Sequence, residues 1–164
     1  MTEKLSVEER FQNIEHNLEY INSRIEASAK ESGRTRGDIK LMAVTKTVEP
    51  VFINHAIDCG IDLIGENKVQ EFLSKKEYLK LENCKAHLIG HLQTNKVRQI
   101  IGQVSMIQSV DSLKLAREIE KQAQKLKITA DCLIEVNVGN EESKTGIDFS
   151  SVMPLLEEIS SMNG

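Results

Sequence analysis

The sequence predicts an α/β fold built on a parallel sheet of the barrel type, and three observations carry that expectation. Five short β-like runs, Ile39–Val44, Ile61–Ile64, Ala86–Ile89, Val104–Gln108 and Ala130–Val138, are each followed by a helical pattern. Strands that alternate with amphipathic helices every two dozen residues or so, roughly, imply parallel pairing, because a parallel strand needs a crossover to return to its sheet. Polar and reactive groups gather just past the strand C-termini: Lys46, Glu66 with Asn67, His91 with Gln93, Ser109 with Asp111, and Asn137 with Asn140. In a barrel such positions converge at the mouth, and in an open doubly wound sheet they line a crevice. Third, no G-x-G-x-x-G follows the first strand, and Lys46 stands where a dinucleotide fold needs glycine. That favours the barrel.

The elements follow in order. Ser6 and Glu9 form a capping-box pair, after which Val7, Phe11, Ile14, Leu18, Ile21 and Ile25 recur at spacings of four and three. This predicts a long amphipathic helix over residues 6–30, packed on the barrel. Beyond the turn-prone Ser32-Gly33-Arg34 the strands begin, linked by helices over Pro50–Cys59, Asn67–Leu81, Asn95–Ile101, Ser112–Leu126 and Phe149–Met162. No Pro/Gly-rich linker interrupts the pattern, so residues 1–164 read as one domain. The lysine groups Lys75-Lys76 and Lys121, Lys125 and Lys127 read as solvated helix faces.

A chain of 164 residues, 40% of them hydrophobic, is long enough for one core and short for two. Its net charge of −4 offers no field to draw in a polyanion, which argues against nucleic acid. Cys59, Cys84 and Cys132 are odd in number and lack a C-x-x-C pairing, so neither a disulfide framework nor a thiolate zinc site is expected. With no apolar leader at Met1–Leu5 and no apolar run long enough to span a bilayer, the expected location is the cytoplasm, without a membrane anchor.

Lys46 is the foremost candidate for chemistry. It ends an apolar strand after Thr45, where partial desolvation would disfavour its ammonium form and expose a nucleophilic amine. On spacing alone a surface lysine snorkelling at a strand end is the better fit. His87 and His91 form an H-x-x-x-H pair, but on strand and turn rather than helix and without a third ligand, so no metal is expected. Ser143-Lys144-Thr145-Gly146 breaks the P-loop spacing, and Glu141 and Glu142 would repel phosphate there. This loop is assigned to the rim, with a role in closing the site.

Five segments in order then carry a resemblance: Ala43-Val44-Thr45-Lys46; Gly65-Glu66-Asn67-Lys68-Val69-Gln70-Glu71; His87 through Lys96; Ser109-Val110-Asp111; and Glu135-Val136-Asn137-Val138 with Glu142 through Gly146. Together they resemble the pyridoxal phosphate homeostasis protein family, also called YggS/PROSC. The resemblance implies a (β/α)8 barrel of the alanine racemase N-terminal type. It implies pyridoxal 5'-phosphate as cofactor, held by Lys46 as a Schiff base, with Asn67 close to it and His91 and Ser109 as further pocket candidates. It also implies a role in intracellular cofactor homeostasis without established turnover, with cofactor-requiring apo-enzymes as partners.

An eight-stranded barrel usually needs more than about 200 residues, whereas five strand-helix units are visible here. The chain is therefore expected to be part of a longer barrel. The family's phosphate-binding residues would lie beyond residue 164, cofactor binding by these residues alone would be weak, and self-association would follow if the open barrel edge is exposed. Two other functions compete. An amino-acid racemase or decarboxylase of the related fold would need a second acid-base partner, and Tyr20 and Tyr78 lie in outer helices. An interaction module would need the N-terminal helix to leave its apolar stripe exposed.

Overall fold

The computed structural model describes residues 5–139, 141 and 145–164. Five strands form a single sheet: β1 (Ala43–Val44), β2 (Leu63–Glu66), β3 (Lys85–Leu88), β4 (Met106–Val110) and β5 (Cys132–Ile134). The sheet order is β1-β2-β3-β4-β5 and every pairing is parallel. This order decides the architecture. A doubly wound sheet reverses strand order at a switch point, whereas a chain that adds each strand beside the last follows the arc of a barrel. β1 and β5 remain the two edges, so the barrel is not closed.

Strand parity assigns the two faces. Ala43, Ile64, Ala86, Leu88 and Ile107 fall on one face, where they join the buried core with the helices. Val44, Gly65, His87 and Met106 lie side by side in register on the other, which is the inner face of the arc. The edge strands are shorter than the sequence predicts because they pair on one side only. Ile39–Lys40 precede the paired part of β1, and Val136 makes only an isolated bridge to Ile147 beyond β5.

Among the described residues six α-helices cover the sheet: α1 (Val7–Glu31), α2 (Pro50–Asp58), α3 (Val69–Lys75), α4 (Val97–Ile100), α5 (Leu113–Leu126) and α6 (Val152–Ser160). In α1, the Ser6 backbone N–H donates to Glu9 and the Glu9 N–H to Ser6 Oγ, completing the capping box. The helix packs on α2, with Phe11 edge-on to Phe52 at 5.6 Å and stacked on His55 at 4.2 Å. Only Ala29 of α1 is buried, so the helix is an outer layer over α2. Among the described residues no helix is long and apolar enough to cross a membrane.

The helix α5 presents Leu115, Ala116, Ile119, Gln122 and Ala123 to the core and starts at Ser112, whose hydroxyl accepts from the Leu115 N–H at 3.3 Å. Losing such a cap costs about 1 kcal/mol. Ser112→Ala is therefore expected to lower the urea-derived stability by about that amount, while Ser112→Asp retains it. A loss within error of zero would mean that tertiary packing, not the cap, sets the helix start.

Candidate functional site

Lys46 lies two residues past the end of β1, after Thr45 and in a turn with Thr47. Its side chain is exposed, and no described residue pairs with its ammonium. The partial desolvation expected at this strand end is thus not supplied by the described residues. What distinguishes the position is the turn. Thr47 adopts φ 61°, a left-handed conformation unfavourable for a β-branched residue. Holding such a residue costs about 1–3 kcal/mol unless the surroundings over-determine it.

The surroundings do so from α3. Glu71 accepts a hydrogen bond from the Thr47 backbone N–H. Lys75 Nζ donates to the Thr45 carbonyl at 2.9 Å and lies 2.6 Å from Glu66 Oε1 and 3.1 Å from Glu71 Oε1. The Thr45 hydroxyl donates to Glu66 Oε1 at 2.5 Å. Both backbone neighbours of Lys46 are therefore tied to one helix, and Lys46 is left untouched between them.

This corrects two readings. Lys75 is buried rather than part of a solvated face, because it reaches inward to Glu66, whose side chain is fully buried. Glu66 points to the helix layer, on the same face as Ile64, and not into the mouth. The Glu71 carboxyl is held below its ordinary range, chiefly by the Thr47 N–H, with Lys75 and Lys68 adding to the effect against desolvation. Since the folded form is the one with the lowered value, this tie is fully present above the usual glutamate range and is lost as pH falls through the lowered value.

The next turns along the rim are joined in a chain. Asn67 follows β2, and its backbone abuts Gly90 so closely that a Cβ on Gly90 would sit 2.3 Å from the Asn67 carbonyl oxygen. Ile89 N–H donates to the Glu66 carbonyl at 2.9 Å. His91, exposed beyond Gly90, places Nδ1 2.9 Å from the Asp111 carboxylate. Ser109 differs from expectation. It lies inside β4, not beyond it, is fully buried, and donates its hydroxyl to the Gly90 carbonyl at 2.7 Å. Thus Asn67, His91 and Ser109 meet around Gly90, with Ser109 as a brace beneath it.

The loop after β5 contributes Thr145, whose hydroxyl donates to Glu135 at 2.9 Å, and Asn137, which bonds the Glu141 backbone. Gly146 turns there at φ 111°, with the Asn137 nitrogen 2.7 Å from where a Cβ would stand. Asn140 and Glu142–Lys144, which include Ser143 and Lys144 of the loop expected to close the site, lie outside the described residues. On the inner face His87 Nδ1 is 2.9 Å from Gln108 Nε2, and burial and Lys85 push its imidazole below the ordinary range. Away from the rim, Glu15, His55 and Cys59 bring their ligand atoms within 4.8 Å of one another, with Glu15 and His55 joined at 2.9 Å.

A model of the alanine racemase N-terminal domain matches residues 10–164. The chain belongs to that family. It is 44% identical, over 140 residues, to the pyridoxal phosphate homeostasis protein of Aquifex aeolicus, which covers 85% of this chain and 61% of that relative. A crystal structure from Bifidobacterium adolescentis superposes with a TM-score of 0.88 at 34% identity, covering 99% of this chain and 70% of the other. PipY of Synechococcus elongatus, solved with pyridoxal phosphate bound, superposes with a TM-score of 0.77 at 27% identity, covering 92% of this chain and 65% of PipY. The chain thus spans about three fifths of the Aquifex relative's length.

Proposed function

We propose that this chain binds pyridoxal 5'-phosphate through Lys46 and serves intracellular cofactor homeostasis in the cytoplasm, handing the group to apo-enzymes that require it. The observation that carries this reading is an unpaired, exposed lysine amine on a strained turn at the C-terminal rim of the parallel sheet. The Lys46 amine fits the aldehyde end of the group. Bound there, it would supply an aldehyde that condenses with a lysine amine to a Schiff base with loss of water. Lys46 has the amine, and no described residue competes for it. Asn67 and His91, on the two following turns, would hold the polar edges of the ring, while Ser109 keeps Gly90 in place beneath them. PipY, of similar fold, was solved with pyridoxal phosphate bound, which supports the choice of cofactor.

Turnover has less support. Tyr20 and Tyr78, the tyrosines available as second acid-base groups, are 55% and 70% exposed on the outer layer, away from the inner face. Homeostasis therefore outranks racemisation as the reading.

Incubation with excess pyridoxal phosphate, borohydride reduction and peptide mass mapping test the assignment. The reduced pyridoxyl label is expected mainly on Lys46 and to vanish from that peptide in Lys46→Arg. Label scattered evenly over exposed lysines would defeat it. Sustained loss of optical activity from single-enantiomer amino acids would instead favour the racemase.

A further inference from the structure

We propose that Glu71 and Lys75 of α3 are positioning residues for Lys46: they pin the backbone on either side of it, so that the turn aims the amine while leaving it unbonded. The inference rests on the Schiff-base role proposed for Lys46 and adds to it how that lysine is presented.

Two lysines near this turn are held in opposite ways. Lys75 is buried and its ammonium is fully engaged, by Glu66 at 2.6 Å, by the Thr45 carbonyl at 2.9 Å and by Glu71 at 3.1 Å. Lys46, one residue from that carbonyl, engages nothing among the described residues. An amine that must attack a carbonyl has to be free of competing donors and acceptors, yet its Cα must be fixed, because reaction rate falls steeply as the approach geometry spreads. Tying the flanking backbone rather than the side chain satisfies both demands.

The ties are complementary in kind. On the N-terminal side Lys75 donates to the Thr45 carbonyl, and on the C-terminal side Glu71 accepts from the Thr47 N–H. Glu71 and Lys75 sit one helical turn apart and bond each other, so the two ties act as a unit. A further link runs from the Thr45 hydroxyl to Glu66, which anchors the same unit to β2.

The conformation thus held is an unfavourable one. Glycine would adopt φ 61° at position 47 without strain, but threonine does not, and the Glu71 carboxylate is the partner that its N–H finds there. Backbone strain of this type persists only where neighbours over-determine it, and it gathers at sites with a task.

The test separates presentation from folding. Glu71 is partly exposed, so Glu71→Met should fold, which a thermal melt checks, while it removes the acceptor for Thr47. Glu71→Gln keeps an oxygen for that N–H. With pyridoxal phosphate and borohydride on the full chain, the ratio of label on Lys46 to label on the exposed, distant Lys125 and Lys127 is the readout. In Glu71→Met this ratio should fall about tenfold, the effect of losing one hydrogen bond to a charged group. Glu71→Gln should restore most of it. Hydrogen exchange at the Thr47 amide in the cofactor-free chain should quicken by about the same factor in Glu71→Met.

If the wild-type chain labels Lys46 but Glu71→Met labels it equally, the positioning role is wrong and the Schiff-base assignment stands. If wild-type Lys46 is not preferred at all, the assignment fails and takes the positioning role with it. Unchanged Thr47 exchange in Glu71→Met would by itself refute the tie.

Discussion

Lys75→Met is expected to lower the free energy of unfolding by about 3–5 kcal/mol, because it strands a buried carboxylate. The Glu66 side chain is fully buried, and its Oε1 takes its contacts from Lys75 at 2.6 Å and from the Thr45 hydroxyl. Its Oε2 has no hydrogen-bond partner among the described residues, so Lys75 and Thr45 supply the contacts that the carboxylate makes there. Once the ammonium is gone, one hydroxyl remains to solvate a full charge in the interior. The Thr45 carbonyl also loses one of its two donors and keeps the Val48 N–H at 3.1 Å.

A second substitution identifies the cause. In Glu66→Leu/Lys75→Met the charge and its counterion leave together, and replacing a buried pair by apolar groups of similar volume is often close to neutral. The double variant should therefore recover most of the loss, with strong coupling in a double-mutant cycle. Urea unfolding of the four chains measures it. Additive single effects, or a Lys75→Met loss below about 1 kcal/mol, would show that water rather than Lys75 satisfies Glu66.

The fold was largely legible because its signal is repetitive. Apolar runs bounded by polar rim residues, each followed by a helix, placed all five strands in order, and their parallel pairing followed from the crossovers. Strand ends were less legible at the two edges, where one-sided pairing shortens β1 and β5 without any change in composition. β4 runs two residues further than expected, which moved Ser109 from the rim into the sheet.

At the site, the position of Lys46 could be read and its surroundings could not. Whether a strand-end lysine is desolvated depends on what covers it, which no local pattern records. The α3 network was misread for a different reason. Lys75-Lys76 looks like a charged surface pair, yet two signals pointed inward: Glu71 and Lys75 are four apart on one helix, and Glu66 shares its strand parity with Ile64. Period-two reasoning carried through to the last residue of β2 would have put that carboxylate under the helix, where it needs a cation.

Gly90→Ala is expected to be the most damaging small substitution at the rim. An added methyl would meet the Asn67 carbonyl oxygen at 2.3 Å, its Cα at 2.8 Å and its carbonyl carbon at 2.9 Å. All three are backbone atoms, so relief requires the turns after β2 and β3 to separate. Gly90 has no left-handed φ, so what it supplies is closeness and not conformational freedom. Separation would also pull its carbonyl from the Ser109 hydroxyl, which is buried and donates to that carbonyl at 2.7 Å. Overpacking of this type costs about 1–3 kcal/mol, and the orphaned hydroxyl adds to it. Gly65→Ala provides the control, since its Cβ would meet Met42 Sδ at 2.6 Å and Ile89 Cδ1 at 2.9 Å, the ends of side chains that can swing aside. Gly90→Ala should therefore lose more stability than Gly65→Ala in urea unfolding. It should also reduce pyridoxal phosphate labelling at Lys46, because Asn67 and His91 hang from the two turns that the methyl forces apart. Equal losses for the two variants would mean that the contact between these turns is softer than its geometry, and that Gly90 does not set the spacing of the pocket.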